Sequence, residues 1–182
     1  IYFFELIKEV YIVFNNIIHF INYIVFPLIY IMSISEWGTV TWKVFHTLAE
    51  KLRDEKQSHV PMLLTQILRI CHNLPCPTCK QHAVTTLKKI NKKNIKTKLD
   101  LIKFLWSFHN MVNVKRKVDT ITLEECREIY KKENTSIIVG KFIHIFGLNL
   151  KSEHGLNSTF LRQICIKEFK QYVLKNHLNF DK

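Results

Sequence analysis

"RICHNLPCPTCKQHA", residues 69–83, gathers three cysteines (Cys71, Cys76, Cys79) and two histidines (His72, His82) into one short stretch. What precedes the Cys76–Cys79 pair decides the fold. A thioredoxin-like unit needs a strand running into CxxC, whereas Leu63, Ile67, Ile70 and Leu74 recur at helical spacing. Pro61 stands near the start of that helix, where proline is tolerated, and Pro75 punctuates its end. "CPTCKQHAVTTLKKI" then reads as a further helix opening at the cysteines. Backbone amides and the dipole at a helix mouth stabilise a thiolate, as a dithiol that exchanges with other sulfurs requires. A structural zinc site built from Cys76, Cys79, His82 and either Cys71 or His72 is a competing reading. Such sites usually pair two short-spaced ligand sets across a loop, and here every ligand would be local.

Working outward, the chain reads as helical. In "SEWGTVTWKVFHTLAEKL", from Ser35, Trp37, Val40, Val44, Phe45 and Leu48 fall on one face. "TKLDLIKFLWSFHNMVNVKRK" (97–117) is a long fourth helix, and Thr122 with Glu125 forms a capping box that opens a short fifth. "IIVGKFIHIFGLNL" (137–150) fits a strand or a helix, and residues 158–178 fit an amphipathic helix. The reading is an all-α fold: a four-helix bundle with a short fifth helix over residues 35–133, and a C-terminal helical appendage over 134–182.

Composition agrees. The 182 residues include only four glycines and four prolines, too few for a many-turned β fold. Five irregularly spaced cysteines exclude a small secreted disulfide scaffold. The net charge of +12 attracts acidic partners without specificity. Its densest stretch, "KKINKKNIKTK" (88–98), has no aromatic residue to stack on a base, so it reads as a solvated helix end and loop rather than a specific nucleic-acid surface. Residues 1–34 are apolar, and 10–31 are long enough to span a bilayer. Asn15, Asn16, His19 and Asn22 would be costly there. The first methionine is Met32, so upstream translation of non-coding sequence, a membrane anchor and a soluble helix all remain open readings.

Two polar stripes accompany the cysteines. Gly38, Trp42 and His46 recur every fourth residue on the first helix, and Trp106, His109, Asn110 and Asn113 share a face of the fourth. A bundle-facing stripe with a histidine and two asparagines is costly unless those groups bond to something. A polar, ring-bearing ligand between the helices would satisfy them.

Together these motifs resemble the flavin-linked sulfhydryl oxidase family of the Erv/ALR type. The match runs WGxxxWxxxH (Trp37, Gly38, Trp42, His46), CxxC (Cys76, Cys79) and HNxVNxK (His109, Asn110, Val112, Asn113, Lys115), in family order over about residues 36–130. "LPCPTCKQHA" is similar to the short forms of large DNA viruses. The resemblance implies a bundle cradling FAD beside a redox disulfide, often as a homodimer. Gly38, Trp42 and His46, with Trp37 beside them, would line the flavin or its adenine. His109, Asn110, Asn113 and Lys115 would hold ribose, adenine and phosphates. Cys79 would face the isoalloxazine and Cys76 would meet the substrate thiolate. Electrons would pass from a substrate dithiol through the pair and FAD to O2, giving H2O2.

The chain departs from the pattern. A family structural cysteine is replaced by Trp106, which is expected to pack on the adenine. Cys126 has no obvious mate, and Cys71 and Cys165 are expected to be bystanders. With no second CxxC, electrons would arrive directly from a thiol protein substrate or through a separate thiol shuttle protein. Disulfide formation without a secretion signal suits the host-cell cytoplasm or a virion, with membrane association if the N-terminal segment is an anchor. The alternative from another class is a non-enzymatic zinc-binding interaction module with a basic surface.

Overall fold

A computed structural model of the chain describes residues 34–148 and 156–181. The expected anchor at 10–31 lies outside those residues. Among them no helix is long and apolar enough to cross a membrane.

Seven α-helices account for most of the described chain: α1 (Ile34–Lys51), α2 (Val60–His72), α3 (Pro77–Lys88), α4 (Lys98–Lys115), α5 (Leu123–Lys131), α6 (Thr135–Gly147) and α7 (Leu156–Asn176). Each boundary has a local cause. Pro61 sits in the first turn of α2. Thr97 and Asp100 cap α4 reciprocally, as Thr122 and Glu125 cap α5. Asn134 accepts from the Ile137 amide and starts α6, resolving the strand-or-helix ambiguity in favour of a helix. The end of α4 is a Schellman turn. Lys117 adopts φ 57, while the amides of Lys117 and Val118 close onto the carbonyls of Val114 and Asn113.

The centre of the fold is α1, which packs against α4, α5 and, most extensively, α6. Val44, Phe45, Leu48 and Ala49 of α1, Leu63, Ile67 and Ile70 of α2, and Leu101, Leu105 and Phe108 of α4 are all buried in one cluster. Phe142 and Phe146 of α6 and Phe169 of α7 belong to the same cluster. Beyond residue 133 the described chain is mainly α6 and α7, and both contribute side chains to the core cluster. Their tail is also stitched back to α1: Arg53 N–H donates to Asn179 O at 2.9 Å and Asp181 N–H to Lys51 O at 2.7 Å. Residues 34–181 lie within one compact unit.

Two ion pairs fix α1 against the α5 region. Glu50, almost wholly buried, accepts from Arg127 Nε at 2.9 Å and Nη2 at 3.4 Å. Lys43 meets Glu133 at 2.6 Å.

Candidate functional site

Cys76 and Cys79 are joined as a disulfide with Cα atoms 5.2 Å apart, inside the usual disulfide range. Pro77 presets the first turn of α3, and Cys76 is its N-cap in extended conformation. Cys76 Sγ accepts the Cys79 amide at 3.2 Å and lies 3.1 Å from Thr78 Oγ1. On reduction, sulfur at this position meets helix-terminal N–H groups and the positive end of the dipole, which favour its thiolate.

The two sulfurs are not equivalent. Cys79 lines a cleft of about 280 Å³ among α1 to α4, and Cys76 does not. Trp37, Trp42, Phe45 and Phe108 give the cleft aromatic walls, while Lys115 and Arg116 make another part of it cationic, with His82 beside them. Burial and the nearby Lys115 hold the His82 pKa below the ordinary histidine value. The volume lies just below the roughly 300–1,000 Å³ typical of ligand pockets. It suits a ring system with its remaining groups lying outside. Gly38 borders the same cleft, and a Cβ built there would meet nothing within 4 Å. No packing contact therefore demands glycine in mid-helix, where it is unfavourable by about 1 kcal/mol against alanine.

Behind the Trp42 wall lies a pair of imidazoles. The His109 ring stacks on Trp42 with centroids 4.0 Å apart and planes 8° apart. His109 Nδ1 is 3.1 Å from His46 Nε2, and the His46 ring is stacked on Tyr130 at 4.5 Å. Burial, then the mutual proximity of the rings, lowers the His46 pKa to about 3. Burial, then Arg116, lowers that of His109 to about 4. Both rings are therefore neutral at physiological pH.

This has a consequence for stability. In the unfolded chain the same histidines titrate near 6.5, so as pH falls below that value the unfolded state takes up protons that the folded state refuses. The stabilisation is complete above pH 6.5 and is lost towards pH 4. The expected slope approaches about 2.7 kcal/mol per pH unit for two protons. Thermal melts at pH 7, 5.5 and 4.5 should show a steep fall, shallower in a His109→Gln variant.

The remaining members of the α4 stripe bond to the chain itself. The Schellman turn sends the chain back along α4, where Trp106 Nε1–H and Asn110 Nδ2–H both donate to Ile121 O at 2.8 Å. Asn110 Oδ1 accepts the Ile121 amide at 3.2 Å, and Asn113 donates to Asp119 O at 3.2 Å. None of Trp106, Asn110 and Asn113 lines the cleft. Their polar atoms are satisfied by the chain itself, so the polar cost of that stripe does not by itself call for a ligand. Of the nine candidate cofactor residues, the structure brings Trp37, Gly38, Trp42 and Lys115 into the cleft with Cys79 and sets His46 and His109 directly behind Trp42. Phe45 is read from sequence only as part of the apolar face of α1, and Phe108 and Arg116 are not singled out there. Phe45 is one turn from Trp42, and Phe108 and Arg116 stand at helical offsets from Val112, which also lines the cleft. That is the pattern that would have found them.

The three other cysteines are free and buried. Cys71 reaches the cleft lining, but burial and the neighbouring Cys165 push its thiol up to about 12, which keeps it protonated and poorly nucleophilic. A zinc arrangement would need further donors gathered around Cys76 and Cys79. Among the described residues no group of three or more His, Cys, Asp and Glu side chains converges in that way.

The Erv1 / Alr family model matches residues 39–133, just over half the chain, from the residue after Gly38 within α1 to just past the end of α5. The chain belongs to the Erv1/Alr family. It is an oxidoreductase of the sulfhydryl oxidase kind. The "FAD-linked sulfhydryl oxidase" of African swine fever virus isolate Pig/Kenya is 29% identical over 97 residues, covering 53% of this chain and 81% of that relative. The protein of the same name from isolate Tick/Malawi is 29% identical over 101 residues with the same coverage. No solved structure matches the chain significantly. Helices α6 and α7 lie beyond the family match, although they share its core.

Proposed function

We propose that the chain is an FAD-dependent thiol oxidase that makes disulfides in a thiol-bearing protein, with Cys76 as the outer sulfur and Cys79 as the inner one. The observation that carries this reading is that Cys79 alone of the pair lines the aromatic cleft. A substrate thiolate attacks Cys76 Sγ, breaking the Cys76–Cys79 bond, forming a mixed disulfide and leaving Cys79 as a thiolate at the head of α3. The substrate's second thiolate then displaces Cys76, so the substrate leaves as a disulfide and its electron pair stays on the cysteines. FAD, when bound, supplies the capacity to accept that pair and hand it to O2 as H2O2. The chain's own part is to hold the ring system against Cys79 between Trp37, Trp42, Phe45 and Phe108, and to neutralise phosphate charge with Lys115 and Arg116. Trp106, Asn110 and Asn113 act through the 119–121 segment, which they pin to α4. Cys71, Cys126 and Cys165 are all buried, which supports electron delivery straight from the substrate or from a separate shuttle protein. The catalytic unit in this reading is residues 34–181.

Gly38 provides the test. Gly38→Ala adds a methyl group where the protein has open space beside the cleft, and it improves helix propensity by up to about 1 kcal/mol. The expected result is an unchanged or higher melting temperature with FAD affinity reduced at least tenfold, measured by fluorescence titration. Equal FAD affinity in the variant would contradict the placement of the cofactor.

A further inference from the structure

Cys126 is buried in α5, and the oxidase reading gives it nothing to do. Its Sγ lies 3.5 Å from His46 Nδ1. His46 Nε2 lies 3.1 Å from His109 Nδ1, and His109 is stacked on the Trp42 wall of the cleft. One line of polar atoms therefore runs from α5 through α1 to α4. Tyr130, one turn after Cys126, holds His46 in plane with a stack at 8°.

Two neutral imidazoles that share an N···N contact allow two proton arrangements. In one, each ring carries its proton on Nε2. In the other, each carries it on Nδ1, and His109 Nε2 is a bare acceptor. The neighbour of His46 Nδ1 decides between them. Burial and then Glu50 raise the Cys126 pKa to about 11, so the sulfur 3.5 Å from that nitrogen keeps a proton it can donate.

We propose that Cys126 is a positioning residue whose S–H occupies His46 Nδ1, placing the His46 proton on Nε2, where it is donated to His109 Nδ1 and so leaves the His109 proton on Nε2. The outer end of the line is then a fixed N–H donor on a ring locked against the cleft wall. His109 is half-buried and does not itself line the cleft. An acceptor group of the nucleotide lying beyond the Trp42 wall would therefore meet a donor whose orientation is already set, which lowers the cost of ordering on binding. No proton is transferred, and the chain of hydrogen bonds is static. That last functional step rests on the cleft holding FAD, whereas the tautomer assignment does not.

The experiment is long-range 1H–15N correlation NMR of the full chain labelled in histidine, with and without added FAD, on wild type, Cys126→Ser and Cys126→Ala. Wild type should show His46 and His109 both as the Nε2–H form. Cys126→Ser, which keeps a donor, should preserve that pattern with FAD affinity within about twofold. Cys126→Ala should broaden or mix the His46 signals and weaken FAD binding about tenfold. A wild-type His109 protonated on Nδ1 overturns the assignment, and it does so even if the alanine variant does not fold. A Cys126→Ala protein with wild-type tautomers and wild-type FAD affinity overturns the role of the thiol. A wild type that binds no FAD overturns the oxidase reading, while its ring nitrogens still decide the relay.

Discussion

Cys76→Ser and Cys79→Ser are each expected to reduce dithiol-dependent oxygen consumption to the uncatalysed background while the protein stays folded and yellow. The physical case for separating activity from folding lies at the N-cap. Cys76 occupies it and accepts the Cys79 amide, and serine is among the strongest N-cap residues. Cys76→Ser therefore keeps or improves the start of α3 while removing the sulfur that a substrate thiolate must attack. Cys79 is only half-buried, so serine there opens no cavity in the core. It does remove the leaving group whose release lets a mixed disulfide form. Oxygen-electrode rates with dithiothreitol, read beside far-ultraviolet circular dichroism, check both halves of the expectation. A single variant retaining a substantial fraction of wild-type turnover would mean that the pair does not act as a unit.

The second large effect concerns the part of the chain beyond the family match. Phe142 is fully buried, with its ring edge-on to Phe169 at 5.2 Å and against Phe146 at 4.9 Å. Phe142→Ala should cost about 3–5 kcal/mol, a drop in melting temperature of roughly 10 °C at about 2–4 °C per kcal/mol for a chain of this size. Ending the chain at Asn134 should go further. It strips α6 from the most extensively packed face of α1 and removes the backbone pairing of Asn179 and Asp181 with the end of α1. The expected product is insoluble or unfolded. A monodisperse, cooperatively melting protein ending at residue 134 would show that α6 and α7 are an appendage after all.

The helices and their caps were legible because they depend on local chemistry. Thr122 with Glu125 and Pro61 each act within one turn of where they stand in the sequence, and the Thr97–Asp100 cap, which the structure adds, is equally local. The sulfur pair at the head of α3 was legible for the same reason. Residues 137–147 were ambiguous because an apolar run alternates and recurs too freely to pick a period, and it is Asn134 that decides for a helix. Their place in the core was hidden because periodicity tells which face is apolar and not what covers it. Spacing likewise put Trp106, Asn110 and Asn113 on one face of α4, but their partners Asp119 and Ile121 come close only because Lys117 takes up the left-handed conformation. A lysine gives no warning of that, as a glycine would have done.

An anaerobic titration of the FAD-loaded protein with dithiothreitol tests whether the Cys76–Cys79 bond opens onto the face of a bound flavin. The flavin absorbance at about 450 nm should be lost in wild type and persist in Cys79→Ser under the same conditions. Wild-type absorbance that survives excess dithiothreitol under nitrogen, or bleaching at equal rate in Cys79→Ser, would contradict that arrangement.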